Sequence, residues 1–298
     1  CSRDCGCQSN SGGATDDDDV LILKGLHGYL SFSLSIGTTR LINYHLGMKL
    51  DYQVIKGRKQ MQSYPDVLDM IGETPMLELH RFDTGPCRLF AKLEFMNPGG
   101  SIKDRIARSM IEAAEADGKL LPGGTIVEAT AGNTGLGLAL VALQKGYHLV
   151  LVLPDKMSLE KLNTVRCMGA EVIVTRSDVA KGHPEYYQDV AKEVARQRDA
   201  FFINQFANQA NVRAHYTTTG PEIWEQMNGD VDALVCGVGT GGTLTGVGTF
   251  LKEKNADIDI VLADPKGSVL ADYLSSGKLA AAGSWLVEGI GEDFIPDI

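Results

Sequence analysis

The chain has 298 residues and a formal net charge of −10, with 38 acidic side chains against 28 basic ones. That balance argues against nucleic acid and anionic membrane as partners, and the length suffices for one large or two modest domains with an apolar core. Six cysteines, at Cys1, Cys5, Cys7, Cys87, Cys167 and Cys236, show no disulfide framework.

In chain order, Cys1 to about Asp19 is rich in Ser, Gly and Asp and carries an acidic run at Asp16 to Asp19, the composition of a disordered segment. Its three cysteines have no second cluster to complete a metal site, and none is expected. Val20 to Gly37 is mildly apolar, but Lys24 and His27 interrupt it and it falls short of a membrane span. Its place behind the acidic run also argues against a signal-peptide core. Residues 1–62 receive no functional assignment. Cys87, Cys167 and Cys236 lie in apolar stretches, where free buried thiols are expected.

From Met76 onward strands and helices alternate. Strands are expected near Leu89 to Leu93, Ile126 to Ala129, Leu149 to Leu153, Val172 to Thr175, Phe201 to Ile203, Leu234 to Cys236 and Ile260 to Ala263, with helical stretches between them. This is the pattern of an α/β fold with mostly parallel sheets.

Three loops in that alternation carry chemistry. In Asn97-Pro98-Gly99-Gly100-Ser101-Ile102-Lys103-Asp104-Arg105, Pro98 stops a strand, the glycines permit a sharp turn and Ser101 can cap the next element. Ile106, Met110 and Ala113 or Ala114 then recur at helical spacing, which places Lys103 in a first turn. The positive end of the helix dipole disfavours a second positive charge there and favours the neutral, nucleophilic amine. The same residues also read as a solvated lysine in a charged first turn.

The second loop, Glu128-Ala129-Thr130-Ala131-Gly132-Asn133-Thr134-Gly135-Leu136-Gly137, comes after a strand and opens an apolar helix running to about Lys145. Thr130, Asn133 and Thr134 supply side-chain donors, and the glycines let backbone amides approach a carboxylate. Alone it also reads as an ordinary strand-to-helix turn capped by Asn.

The third loop, Gly237-Val238-Gly239-Thr240-Gly241-Gly242-Thr243, has the Gly-x-Gly-x-x-Gly spacing of a dinucleotide turn, and Asp264 ends the next strand about where a ribose-binding carboxylate would stand. Its backbone amides and the Thr240 and Thr243 hydroxyls at a helix N-terminus would hold any phosphate. A lysine turn and a phosphate cradle together suggest pyridoxal phosphate held at both ends; the third loop alone suggests a nicotinamide enzyme.

From about Tyr64 to Ile298 the chain resembles the fold type II pyridoxal-phosphate enzymes, the tryptophan synthase β-subunit-like fold, in their cysteine synthase and cystathionine β-synthase branch. The ordered motifs are Ile71-Gly72-Glu73-Thr74-Pro75, the Lys103 and Asn133 loops above, Asn204-Gln205-Phe206, the Gly239 to Thr243 loop and Glu288-Gly289-Ile290-Gly291. Ser177 to Tyr187, Ala263 to Ser268 and Val287 to Pro296 look more like the bacterial-type cystathionine β-synthases.

The resemblance implies pyridoxal 5'-phosphate as cofactor and Lys103 as the residue that forms its Schiff base and later serves as acid and base at the substrate Cα. It implies Asn133 on the ring oxygen, and Gly239, Thr240, Gly241, Gly242 and Thr243 on the phosphate. Thr130, Ala131, Asn133, Thr134 and Gln205 would surround the substrate carboxylate; Ala131 stands where many members have serine. The implied reaction is β-replacement on L-serine with homocysteine to give cystathionine, by way of an aminoacrylate. The alternative is cysteine synthase, with sulfide and O-acetylserine or serine, and the remoter ones are an NAD-binding oxidoreductase and an inactive fragment.

The resemblance further implies a smaller domain over residues 97–207 and a larger one combining 63–96 with 208–298, the latter cut short before the residue that would face the pyridine nitrogen. A cytoplasmic homodimer acting on small amino-acid and thiol substrates is expected. No haem is expected, and no catalytic role is assigned to His183-Pro184-Glu185-Tyr186-Tyr187, whose aromatic rings read as packing.

Overall fold

The computed structural model describes the backbone of Val20–Gly25 and Gly28–Ser33 and, in full, residues 63–298 except Ala131, Ala180 and Lys181. The expected disordered segment and the Cys1, Cys5 and Cys7 positions lie outside the described residues. The chain divides into two units, Cys1–Ser63 and Tyr64–Ile298. In the first, β1 (Val20–Gly25) and β2 (Gly28–Ser33) form an antiparallel hairpin, with Gly25 opposite Gly28, over the stretch read as merely apolar.

The second unit is built on a parallel four-stranded sheet in the order β7-β6-β5-β8. Its strands are β5 (Thr125–Ala129), β6 (His148–Pro154), β7 (Glu171–Thr175) and β8 (Phe201–Phe202). The unbroken apolar run Leu149 to Leu153 is what a central strand covered on both faces requires. Alternate residues serve the two faces. Ile126, Leu149, Leu151 and Leu153 meet α1 (Lys103–Ala116) and α2 (Asn133–Lys145), whereas Val127, Ala129, Val150 and Val152 meet Ala191 and Ala195 of α4 (Tyr187–Gln197). Between these helices α3 (Leu159–Cys167) leads from β6 to β7.

Helices α1 and α2 cross closely because Gly137 of α2 has no side chain. A Cβ there would stand 2.9 Å from the Lys103 carbonyl oxygen, so the crossing sets the first turn of α1 against α2.

Two further strand pairs complete the unit. An antiparallel pair joins β3 (Met76–Glu78) to β4 (Phe90–Lys92), and a parallel pair joins β9 (Ala233–Gly237) to β10 (Asp259–Ala263). The sequence shows no sign of β3, which is too short for an alternation to register. Helices α5 (Gln209–Ala214) and α6 (Gly220–Gln226) are joined by a π-helical turn over His215–Thr219. Helix α7 (Gly242–Lys254) comes after β9, and α8 (Leu270–Ser276) after β10. Ile223, Val247, Leu251 and Ile258 form the second core, against Leu234 and Ile260 of the strand pair.

The thiol expectation needs correction. Cys87, Cys167 and Cys236 are free, but Cys87 and Cys167 are exposed. Cys87 lies in the loop between β3 and β4 and Cys167 closes α3, so the apolar neighbours that suggested burial cover other surfaces. Among the described residues no helix is long and apolar enough to cross a membrane, and no cluster of His, Cys, Asp and Glu could hold a metal ion.

Candidate active site

Lys103 is the first residue of α1, and a short loop fixes it there. Gly100 takes a left-handed φ of 83° and donates its N–H to the Asn97 carbonyl at 2.8 Å. The Ser101 Oγ accepts the Lys103 N–H at 3.1 Å, and the Asp104 carboxylate accepts the Gly99 N–H at 2.6 Å. Burial pushes Asp104 up to about 6, against the lowering effect of the Gly99 hydrogen bond. The Lys103 amine makes no hydrogen bond or ion pair among the described residues. Its withdrawal from water pulls it below the ordinary lysine value, opposed by Cys236 and Glu292. Burial thus lowers the amine in the same direction as the helix dipole.

Two residues on, Arg105 anchors the same turn. Its guanidinium, 2% exposed, binds Glu94 at 2.7 and 2.8 Å and Glu222 at 2.6 and 2.7 Å, with Thr218 at 3.1 Å and Thr74 at 3.2 Å. Lys92 adds a second cation to Glu222 at 2.7 Å. Burial works against the charge of Glu222, but the Arg105 and Lys92 hydrogen bonds outweigh it and hold the carboxyl at about 2. The Ile71 to Pro75 motif finds its purpose here: Gly72 donates to the Asn97 side chain at 2.9 Å and Glu73 to Glu222 at 3.0 Å.

At the end of β5, Thr130 and Thr134 are buried beside Gln205. The Thr134 hydroxyl donates to the Gln205 side-chain oxygen at 2.6 Å, and the Thr130 hydroxyl accepts the Gly132 N–H at 3.1 Å. Asn133 opens α2 and is exposed. Ala131 lies outside the described residues.

Beneath them Glu128, 1% exposed, accepts the N–H groups of Asn204 at 2.8 Å and Gln205 at 3.4 Å. Burial pushes it up to about 8, against those hydrogen bonds. The folded chain therefore keeps a proton that the unfolded chain releases near the ordinary glutamate value of 4.5. The stability this contributes is complete below about 4.5 and is lost as pH rises through about 8. Glu128→Gln is expected to flatten the fall in unfolding free energy across that interval, as read by urea titrations at several pH values. An unchanged slope would mean that Glu128 does not carry it.

The third loop closes the site. Gly241 takes a left-handed φ of 92° at the N-terminus of α7. The N–H groups of Gly239, Thr240 and Gly241 make no hydrogen bond among the described residues, the state of a helix start built for an anion. Asn211 of α5 donates to the Thr240 hydroxyl at 2.9 Å and to the Gln205 carbonyl at 2.9 Å, tying the loop to the Gln205 turn.

His215, 1% exposed, bridges the Thr219 hydroxyl at 3.0 Å and the Thr243 hydroxyl at 3.2 Å. Burial and the Lys103 and Arg105 charges hold it down to about 3, so the ring is neutral and orients Thr243. Glu128, Asn211, His215 and the Arg105 cluster were not found from sequence, since their partners stand far off along the chain.

Gly242 admits Asn211, whose amide carbon lies 2.5 Å from where a Cβ would stand. Gly242→Ala is expected to displace Asn211 and to weaken phosphate binding about ten- to hundredfold, from the 1–3 kcal/mol typical of overpacking. Equilibrium dialysis of the cofactor checks this, and unchanged affinity would contradict it.

Asp264 is engaged by the start of α8. Its carboxylate accepts the Ala271 N–H of α8 at 2.9 Å, and its second oxygen is buried without a partner. Tyr186 and Tyr187 stack edge to face with centroids 4.9 Å apart at the start of α4.

An unpaired, partly buried lysine amine that shares its surroundings with a glycine-rich loop of free N–H groups fits a ligand with an aldehyde at one end and a phosphate at the other. Comparison with known proteins agrees. The family model for "Pyridoxal-phosphate dependent enzyme" matches residues 67–298. The chain is 45% identical over 238 residues to cystathionine beta-synthase of Apis mellifera, covering 78% of this chain and 47% of that one. It is 49% identical over 233 residues to cysteine synthase 1 of Neurospora crassa, covering 76% and 61%.

The chain thus spans about half the length of the curated cystathionine beta-synthases it matches. Among solved structures, cysteine synthase from Entamoeba histolytica superposes with a TM-score of 0.72 at 38% identity, over 83% of this chain and 72% of that one. O-ureido-L-serine synthase gives 0.71 at 35% identity, over 78% and 72%. The architecture is that of fold type II, and the cofactor is pyridoxal phosphate. By its motifs, its fold and the family model alike, the chain belongs to the pyridoxal-phosphate dependent enzymes.

Proposed function

We propose that the chain catalyses β-replacement on L-serine, with homocysteine as the incoming thiol and cystathionine as the product. The observation that carries this reading is the unpaired Lys103 amine, drawn below its ordinary value by burial, in a chain whose Gly239 to Gly241 N–H groups are free among the described residues. Such an amine can take and return a proton. The 45% identity to the Apis mellifera cystathionine beta-synthase supports homocysteine as the acceptor. The second reading, cysteine synthase with sulfide, is favoured by the 49% identity to the Neurospora crassa enzyme.

When bound, pyridoxal phosphate supplies an electron sink for the bond-breaking at the substrate Cα. The residues of the chain do the rest. The amides of Gly239 to Thr243 and the Thr243 hydroxyl, which His215 orients, would hold the phosphate, and Asn133 would serve the ring oxygen. Thr130, Ala131, Asn133, Thr134 and Gln205 would surround the substrate carboxylate and fix which Cα bond breaks. Lys103 removes the Cα proton and, so protonated, delivers it to the leaving hydroxyl, since hydroxide is a poor leaving group.

In this reading residues 97–207 form the smaller domain and residues 63–96 with 208–298 the larger, and the protein works as a cytoplasmic homodimer. Purified, cofactor-loaded chain incubated with L-serine and either thiol tests the reading, with products identified by mass spectrometry. Cystathionine from serine and homocysteine is expected. Cysteine from sulfide alone would establish the second reading, and no product with either thiol or with O-acetylserine would overturn β-replacement.

A further inference from the structure

The mechanism leaves the Thr240 hydroxyl unused, and the buried side chain of Asn211 decides where its proton goes. The Asn211 nitrogen donates to the Gln205 carbonyl at 2.9 Å and to the Thr240 hydroxyl oxygen at 2.9 Å. A backbone carbonyl can only accept, so the amide cannot stand the other way round with its oxygen facing Gln205. The second N–H of the same nitrogen is then the donor to Thr240. The Thr240 oxygen accepts in that contact, which leaves its own hydrogen to be given elsewhere. That hydrogen has no acceptor among the described residues, although Thr240 is buried in the loop.

The surroundings hold the amide in this orientation. At the start of α5 the Asn208 side chain accepts the Ala210 N–H at 3.0 Å and donates to the Ile203 carbonyl at 2.9 Å, and the Ser109 hydroxyl of α1 donates to the Ala210 carbonyl at 2.8 Å. Gly242 gives the amide its room, which a Cβ would fill. The Asn211 oxygen is left buried without a partner, a cost the fold carries for the two bonds made by the nitrogen. His215 does not fix the Thr243 proton in the same way, because a neutral imidazole donates or accepts there according to its tautomer.

We propose that Asn211 is a positioning residue for the cofactor phosphate: by donating to the Thr240 hydroxyl it turns that hydroxyl's proton toward the phosphate, beside the free N–H groups of Gly239, Thr240 and Gly241. The inference rests on this loop as the phosphate site of the proposed function. A phosphate dianion offers only acceptors, and a hydroxyl free to turn would spend part of its time presenting a lone pair to it. Asn211 removes that wrong orientation before the ligand arrives. It touches no ligand itself and acts through Thr240.

The test is a mutant cycle read by binding. Equilibrium dialysis of pyridoxal 5'-phosphate and of pyridoxal against the chain freed of cofactor gives a ratio of affinities that isolates the phosphate end. Asn211→Leu is expected to lower that ratio about tenfold, the weight of one hydrogen bond. In a Thr240→Val background, which has no hydroxyl to turn, Asn211→Leu should change the ratio less than about twofold, and in a Thr240→Ser background the tenfold loss should return. Should Asn211→Leu not fold, as urea titration shows, Asn211→Ala is carried through the same cycle. An unmoved ratio in the Asn211 variant, or the same loss in all three backgrounds as a purely structural tie would give, would overturn the inference. An unmoved ratio in Thr240→Val alone would overturn it together with the phosphate role of Thr240. No turnover enters the readout, so the inference stands or falls separately from β-replacement.

Discussion

Lys103→Ala is expected to lower turnover about 10⁴-fold or more while leaving the fold intact. General acid–base catalysis by one side chain contributes about 10²–10⁴-fold, and loss of a covalent attachment point adds to it. The amine makes no hydrogen bond or ion pair among the described residues, and Lys103 holds the loop through its backbone N–H, which alanine keeps. The thermal midpoint should therefore stay at or slightly above that of the parent, since an unpaired amine is costly to bury. Single-turnover kinetics with serine and homocysteine reads the effect. Activity within tenfold of the parent would contradict the role given to Lys103.

The second large effect is on stability. Arg105→Ala is expected to cost about 3–5 kcal/mol, the range for removing one partner from a buried ion pair. It leaves Glu94 and Glu222 without their shared guanidinium and only Lys92 to offset the charge of Glu222. Arg105→Lys should recover little, because an ammonium cannot reproduce the forked contacts to two carboxylates. Urea unfolding of the three chains checks this, and a loss below about 1 kcal/mol for alanine, the range of an exposed pair, would contradict it. The cluster joins the first turn of α1 to α6, so the same variant should also loosen Lys103 and lower cofactor affinity.

What could be read from the sequence was local. The run Leu149 to Leu153 announced a central strand, and Ile106, Met110 and Ala114 announced the buried face of α1, because both depend on residues a few positions apart. Glycines beside threonines at strand ends marked the second and third loops for the same reason. The support of the site was not legible. Thr134 meets Gln205 71 positions away and Arg105 meets Glu222 117 positions away, and no periodicity records such pairings. Glu128 looked like the acid before a loop, yet its work is to hold the Asn204 and Gln205 amides. Glu292 sat within a recognised motif, but nothing in that motif announced that its carboxylate would stand beside Gly239. Cys87 and Cys167 misled because an apolar neighbourhood in sequence does not say which way one thiol faces.

Lys103 and the Gly239 to Thr243 loop are assigned the two ends of one pyridoxal phosphate, and every role proposed above depends on that pairing. Borohydride reduction of the cofactor-loaded chain fixes a lysine–aldehyde linkage as a stable amine, and peptide mapping then shows where it formed. The cofactor mass is expected on the peptide containing Lys103 and on no other. Attachment at another lysine, such as Lys156, or no attached mass at all, would contradict the assignment.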